Sequence, residues 1–446
     1  MELNEFKGKK LLILGLGREG LDTLNCLLKW APEVVCGVAD SNTEEKISDE
    51  AREAIKGAQI SRHFGAGYLS KLDDYDIIVK SPGIPIHIPE IESAFKKNKI
   101  TSQTQIFFDH CRGTIVGVTG TKGKSTTASL INAVLVAGGY DSQLIGNIGQ
   151  PALLYLEESK KDNFYVYELS AHQLYGLTKS PHIGALTNLY PEHLDYYSDF
   201  NEYIRAKGSI AIHQSRNDYF IYNSEISECR DIAAKCGAKK IAYNENDWKP
   251  NCETKLKGNV NLGNMKIAAI VGDILGINIS QIERAICNFK PLPHRLESVG
   301  VYNGIEFYND SLSTIQESAV AAIESLGGDL QTLIAGGYDR SQPFDKLARS
   351  ILDSRIDNLI LFAPTGQRIW DELLKMGHAS SDSRRLDSLK RFFVSSMDEA
   401  VNLAFKHTAS ARICLMSSAS ASFGEFRDYA QRGEAFKCSI VKLSKA

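Results

Sequence analysis

The sequence predicts an α/β protein of three units, each a parallel β-sheet covered by helices. Three observations lead there. The chain has 446 residues, room for about three domains of roughly 150 residues each. Glycine-rich segments at 15–20 and 120–125 each follow a short apolar run and precede a helical apolar pattern, the strand–turn–helix order of parallel α/β folds. Beyond residue 292, strand and helix patterns alternate a third time to the end.

Composition narrows the function classes. Lys and Arg number 51 against 54 Asp and Glu, so no basic excess points to nucleic acid or an anionic membrane. No apolar run approaches the ~18 residues that would span a bilayer. The first residues show no basic region followed by a signal-like apolar stretch. Nine cysteines occur without a C-x-x-C pair, which predicts reduced, mostly packing thiols. A soluble cytoplasmic protein with no nucleic-acid or membrane partner is the expectation.

The first unit opens with a strand at Lys10 to Leu14. Gly15-Leu16-Gly17-Arg18-Glu19-Gly20 and a helical run through Leu28 follow. A second strand ends at Ala39 with Asp40 beyond it. This G-x-G-x-x-G turn places a diphosphate on a helix start, with Asp40 near a ribose. A purely structural turn is the plain alternative, and the motif alone is weak support for NAD. The strand Asp76 to Lys80 ends in the rigid turn Ser81-Pro82-Gly83-Ile84-Pro85. Ligands gather at the carboxyl ends of such strands, so that turn is expected to share the site. The segment Lys96 to Ser102 reads as a link to the next unit.

The second unit begins with Thr114-Ile115-Val116 and then Gly117-Val118-Thr119-Gly120-Thr121-Lys122-Gly123-Lys124-Ser125-Thr126. A helix carrying Leu130, Ile131, Val134 and Leu135 at apolar spacing follows. Strand, glycine loop and Lys-Ser at a helix start cradle a nucleotide phosphate chain, which predicts ATP. Lys124 supplies a cation and the Ser125 hydroxyl a Mg²⁺ ligand. The usual first glycine of the pattern is Val118 here. Further strands, Phe164 to Tyr167 and Ile183 to Leu189, bring Glu168 and His193 to the same sheet edge. Both are candidate ligands for Mg²⁺ or its waters, and each reads equally well as a structural hydrogen-bonder. Lys207 lies on a predicted helix, where a lone lysine is ordinarily solvated.

Asn259, Asn261 and Asn264 precede an apolar helix at Ile267 to Leu275, as caps or as amides reading a base edge. In the third unit Val301 to Tyr308 reads as one strand, and Asn309-Asp310-Ser311 as the start of a helix through Leu326. Strands follow at Thr332 to Ala335, Leu359 to Ala363 and Ile413 to Met416. The cluster Arg384-Arg385 with Lys390-Arg391 reads as a solvated face.

Taken in order, these motifs resemble the Mur ligases of peptidoglycan synthesis. The residues that carry the resemblance are Gly120 to Ser125, Glu168-Leu169-Ser170, and Asn188 with His193 and Asp195. Tyr203 to Lys207, Asn261 and Asn264, His294-Arg295, Asn309-Asp310-Ser311 and Arg432-Gly433 complete the series. They span nearly the whole chain. Its length and the first-unit G-x-G-x-x-G resemble the glutamate-adding branch. Folylpolyglutamate synthases share the Gly-Thr-Lys-Gly-Lys loop but typically begin almost directly with their ATP domain.

The resemblance implies a Rossmann-like domain over 1–102, a P-loop ATPase domain over 103–291 and a Rossmann-like amino-acid domain over 292–446. It implies ATP-dependent, ADP-forming addition of glutamate to UDP-N-acetylmuramoyl-L-alanine through an acyl phosphate, by a monomer. D-glutamate is the expected enantiomer, with L-glutamate the alternative. From another class, a nicotinamide oxidoreductase built on the first turn is the competing reading; it leaves the P-loop unexplained.

Residue roles follow from the same resemblance. Gly120, Thr121, Lys122, Gly123, Lys124, Ser125 and Thr126, with Asn264, Arg295 and Asp310, would bind ATP. Ser125, Glu168, His193 and Lys207 would serve two Mg²⁺ ions, Lys207 as a carbamate. Lys124, Lys207 and His193 form the implied catalytic set. The UDP-muramoyl group would lie on Gly15, Gly17, Arg18, Glu19, Gly20 and Asp40, on Ser81, Pro82 and Gly83, and on Asn147. Thr314, Arg340, Ser422 and Tyr429 would hold glutamate. Departures from the family pattern are Lys122 for Asn, Val260 for His, Leu312 for Lys, Asp339-Arg340 for Gly-Lys, and Ser418 and Ser420 for Pro and Cys.

Overall fold

A computed structural model describes residues 6–31, 36–192, 196–244, 248–256, 258–379 and 383–445. Its strands form three sheets. The first contains β1 (Leu11–Leu14), β2 (Cys36–Asp40), β3 (Ser61–Phe64), β4 (Ile77–Lys80) and β5 (Ile100–Thr101), all parallel, in the order β3-β2-β1-β4-β5. The second contains β6 (Thr114–Thr119), β7 (Asp141–Gly146), β8 (Asn163–Glu168), β9 (Ile183–Leu186), β10 (Tyr219–Asn223) and β11 (Lys239–Tyr243). These too are all parallel, ordered β11-β10-β9-β6-β8-β7.

The third sheet contains β12 (Glu297–Tyr302), β13 (Ile305–Asn309), β14 (Leu330–Gly336), β15 (Asn358–Phe362), β16 (Lys390–Val394) and β17 (Ile413–Met416). Its order is β12-β13-β17-β14-β15-β16. Only the β12–β13 pair is antiparallel. Strands buried on both faces must be apolar throughout, and successive side chains must enter opposite cores. Leu11 and Ile13 enter one core while Leu12 and Leu14 enter another. In the third sheet Leu359 and Leu361 face one core, Ile360 and Phe362 the other.

The chain divides into two compact units, Met1–Lys249 with Gly263–Ile286, and Pro250–Leu262 with Cys287–Ala446. The first two sheets fall in one unit, and one continuous core joins them, from Leu11 and Ile13 through Phe107 to Tyr167 and Leu174. The segment read as a link, Lys96 to Ser102, instead supplies β5, the edge strand of the first sheet.

Several elements differ from the sequence expectations. Val301 to Tyr308 is a hairpin rather than one strand. Asn303 (φ 49°) and Gly304 (φ 79°) both take the left-handed conformation, the signature of a two-residue hairpin turn. The helix expected from Asn309 starts only at Gln316 (Gln316–Leu326), because Asp310 accepts from Ser313 Oγ at 2.5 Å and holds the preceding loop. The apolar helix starts at Asn259 (Asn259–Ile274), so Asn261 and Asn264 lie within it. Lys390 and Arg391 belong to β16. Cys252 and Cys287 form a disulfide with Cα atoms 6.1 Å apart, against the expectation of reduced thiols throughout. Among the described residues, no helix is long and apolar enough to cross a membrane.

Candidate functional site

The carboxyl end of β6 lies between those of β8 and β9, and the glycine loop emerges there into the helix Lys124–Ala137. Thr121 N–H donates to Asn188 O at 2.9 Å. Lys122 N–H donates to Asn188 Oδ1 at 2.7 Å, and Thr187 Oγ1 donates to Lys122 O at 2.6 Å. The segment that follows β9, through Thr187 and Asn188, thus holds the loop by hydrogen bonds. Gly123 has φ +83°, and a Cβ there would lie 2.4 Å from Asn264 Oδ1. At Gly120, φ +149°, it would lie 1.9 Å from Thr187 Oγ1. Only glycine fits both. Asn264 Oδ1 also accepts from Thr127 Oγ1 at 2.9 Å, and no side chain caps the helix start.

Charged groups converge on this loop. Lys124 Nζ donates to Gly120 O at 3.0 Å and Thr121 O at 2.9 Å, curled over the mouth of the loop. Lys207 is 1% exposed, on the helix Phe200–Gly208. Its Nζ donates to Gly120 O at 2.8 Å and lies 4.9 Å from the Tyr203 ring centroid. Burial, then the Lys124 charge, holds its amine well below the ordinary lysine range. A solvated helical lysine was the plain expectation; burial overturns it.

Glu168 ends β8, and its Oε2 is buried without a hydrogen-bond partner among the described residues. A buried carboxylate oxygen left unpaired is costly, and a hard cation is a fitting partner for it. Ser125 opens the adjacent helix and is buried. His193 and Asp195 lie outside the described residues. Among the described residues, no group of three His, Cys, Asp or Glu could hold a metal.

The first-sheet turn forms a second site in the same unit. Gly15 has φ +90°, and a Cβ on Gly20 would lie 1.8 Å from Gly15 O. Asp40 Oδ2 accepts from Leu16 N–H at 2.8 Å and Oδ1 from Asn42 N–H at 2.8 Å. The aspartate therefore shapes the turn, with both oxygens already engaged. Ser81 Oγ donates to Gly15 O at 2.9 Å. The Ser81–Ile84 turn is fixed from below, Lys80 Nζ donating to Ser81 O at 3.0 Å and Ile84 O at 2.9 Å. These turns enclose a cavity of about 440 Å³ that Gly17, Arg18, Glu19, Pro82, Gly83 and Asn147 also line. This cavity opens at the carboxyl ends of β1 and β4, where the strand order reverses.

Sequence reasoning missed the two glutamines that tie this cavity to the central sheet. Gln173 Nε2 donates to Glu19 Oε1 at 2.6 Å, while Gln103 Nε2 donates to Asp22 Oδ2 at 2.6 Å and Glu19 O at 3.0 Å. Gln173 is the third helical residue of a capping box on Ser170; the S-x-x-Q spacing was the available signal.

In the other unit, Asp310 is buried and accepts from Ser313 Oγ, Ser417 Oγ (2.7 Å) and Leu296 N–H (3.0 Å). Burial pushes its carboxyl up to about 6. Arg295 adds a nearby positive charge. A cavity of about 250 Å³ opens at the end of β14, lined by Gly337, Ser422, Phe423 and Arg432. Arg340 is exposed and stacks over Phe423, 5.1 Å from the ring centroid. Thr314 is half-buried and Tyr429 exposed; of the four residues expected to hold glutamate, Ser422 alone lines that cavity. Arg432 is buried and donates to Ser311 Oγ, Ser311 O and Ala421 O, bracing the loops around it.

Family models match in two places. "Mur ligase MurD-like, N-terminal domain" covers residues 9–101 and "Mur ligase middle domain" residues 118–283. Two curated relatives carry the name UDP-N-acetylmuramoylalanine–D-glutamate ligase. One, from Symbiobacterium thermophilum, is 32% identical over 462 residues, covering 98% of each chain. The other, from Acetivibrio thermocellus, is 31% identical over 464 residues with the same coverage. Among solved structures, the UDP-N-acetylmuramate-alanine ligase MurC of Thermotoga maritima is similar at TM-score 0.57 and 15% identity, covering 98% of this chain and 99% of that one. MurF ligase of Thermotoga maritima, in complex with ADP, is similar at TM-score 0.57 and 13% identity, covering 99% and 98%. These structures share the fold. The matches give the nicotinamide oxidoreductase alternative no support.

Proposed function

The chain belongs to the Mur ligase family, and from that premise we propose that it adds D-glutamate to UDP-N-acetylmuramoyl-L-alanine in an ATP-dependent, ADP-forming reaction. The L-alanyl carboxylate attacks the γ-phosphorus and the bond to ADP breaks, which gives an acyl phosphate. The glutamate amine then attacks the acyl carbon, phosphate leaves with the C–O bonding pair, and the amine loses a proton. Two anions must meet in the first step, so positioning and positive charge dominate the catalytic requirement.

The loop of Gly120 to Thr126 and the helix start would bind the phosphates, with Lys124 released from its two carbonyls onto them. Asn264, Arg295 and Asp310 are assigned to the nucleotide. Mg²⁺, held through Ser125 and Glu168, would neutralise phosphate charge and polarise the γ-phosphoryl group. A carbamate forms only on a neutral amine, and the buried Lys207 beside Gly120 O suits that; its new oxygens would be anionic ligands. His193 is assigned to the metal by resemblance. The turns of Gly15 to Gly20 and Ser81 to Gly83 would hold the UDP-muramoyl group, with Asn147. Ser422, Arg340, Thr314 and Tyr429 would receive glutamate. We assign the domains to 1–102, 103–291 and 292–446, and the protein to the cytoplasm as a monomer.

The observation that carries this reading is the convergence of Lys124, Lys207 and the unpartnered Glu168 oxygen on one clamped phosphate loop. The test is phosphate release and product mass with ATP, UDP-N-acetylmuramoyl-L-alanine and each glutamate enantiomer. Faster turnover with D-glutamate is expected. A higher kcat/KM with L-glutamate would reverse the stereochemical assignment and leave the ligase intact. No ligation with either would refute it.

A further inference from the structure

Glu19 is an unusual residue to find on an anion-binding turn. It sits in the first turn of the helix Arg18–Trp30 and lines the 440 Å³ cavity. A helix start of this kind attracts a diphosphate, yet a carboxylate there carries the same charge as the ligand. Its two oxygens differ. Oε1 accepts from Gln173 Nε2 at 2.6 Å, while Oε2 is buried with no hydrogen-bond partner among the described residues.

Neighbouring cations do not resolve the conflict. Arg18 Nη2 donates to Gly149 O at 2.7 Å, and Lys80 Nζ is committed to the carbonyls of Ser81 and Ile84. Asp22, one turn along the same helix, adds negative charge, and Tyr167 approaches from the central sheet. Gln173 and Gln103 are neutral donors.

We propose that Glu19, in the first turn of this helix and lining the cavity, becomes the neutral carboxylic acid when the nucleotide substrate binds, removing like charge from the helix start that meets the diphosphate, so that binding takes up a proton from solvent. This rests on the reading of the turn as the seat of the UDP-muramoyl diphosphate. In the free protein, burial pushes the Glu19 carboxyl up to about 7, with Gln173, Arg18 and Lys80 opposing and Asp22 adding to the rise. At neutral pH the group is therefore divided between its two forms, and a dianionic ligand selects the protonated one. The carboxyl thereby serves as a pH-dependent specificity element of the substrate site.

Calorimetric titration with UDP-N-acetylmuramoyl-L-alanine, repeated at pH 7 in buffers of different ionisation enthalpy, reads the proton directly. The substrate has no group of its own that titrates between pH 6 and 8. Uptake of roughly half a proton at pH 7, and a Kd that rises toward about tenfold per pH unit above it, are expected. Glu19→Gln keeps a neutral amide in place and should lose both the uptake and the rise. Binding by the natural protein with no buffer dependence would overturn the inference without the aid of any variant, and leave the site reading standing. Full proton uptake in a folded Glu19→Gln protein would also overturn it. No binding at all at millimolar substrate would remove the site reading and the inference together.

Discussion

Replacing Gly123 with Ala tests how closely the phosphate loop is built around one glycine. Two costs follow from the geometry. The residue sits at φ +83°, a left-handed conformation that costs a non-glycine roughly 1–2 kcal/mol. The new Cβ also lies 2.4 Å from Asn264 Oδ1, so the amide must move. That oxygen accepts from the buried Thr127 hydroxyl, and an orphaned buried donor costs about 1–3 kcal/mol. Together these give roughly 2–5 kcal/mol against the native loop, confined to 114–137 and its contacts. With two compact units a single unfolding midpoint is a poor measure. Hydrogen exchange of the amides in β6 and the helix Lys124–Ala137 reports the local loss instead. Faster exchange there is expected, along with a raised KM for ATP. Asn264→Ala orphans the same Thr127 hydroxyl, so Gly123→Ala combined with Asn264→Ala should cost about as much as Gly123→Ala alone, and the two single losses should fall short of additive by about 1–3 kcal/mol. Unchanged exchange and unchanged KM in Gly123→Ala would show that the loop is not held as described.

Lys124→Ala should leave the fold in place and lower kcat by about 10²–10³-fold, the loss of one preorganised transition-state cation, roughly 3 kcal/mol; turnover within a few-fold of normal refutes the assignment. Lys207→Ala and Lys207→Arg should both be inactive in phosphate-release assays, because the group proposed there is an anionic carbamate, and an active Arg variant rules that role out. Arg340→Ala should raise the KM for glutamate roughly 10–100-fold, the worth of one charged hydrogen-bonded partner at about 1.5–3 kcal/mol, with the KM for ATP as the internal control.

Parallel sheets were legible because their strands are apolar runs with punctuation at the carboxyl end, as at Leu11–Leu14 before Gly15 and Thr114–Thr119 before Gly120. Edge strands were not. β3 reads Ser61-Arg62-His63-Phe64 and β16 Lys390-Arg391-Phe392-Phe393-Val394; each has one covered flank and an exposed, charged side. The hairpin at Asn303-Gly304 carried its turn signal in plain view, but the apolar run across it concealed the break. The Cys252–Cys287 pairing joins residues 35 apart in the chain, a relation that spacing alone does not encode.

Residues at the site divide along a different line. Glycines, Lys124 and Ser125 were legible because their chemistry is local: backbone conformation and helix start are set by neighbours in sequence. Lys207 and Glu19 were not, because what makes each one distinctive is a low-dielectric surrounding assembled from distant strands. Lys207 is withdrawn from solvent by Thr119, Gly120 and Tyr203. Glu19 is held by Gln173, 154 positions away. Gln173 Oε1 in turn accepts from Ser170 N–H at 2.8 Å, two residues beyond Glu168. A short hydrogen-bonded path therefore runs from the turn proposed for the diphosphate to the strand end proposed for the metal. Both proposed nucleotide substrates are polyanions, and each would meet a buried titratable side chain whose charge state depends on its surroundings. Folding places those groups; sequence pattern alone gives them the look of ordinary surface charge.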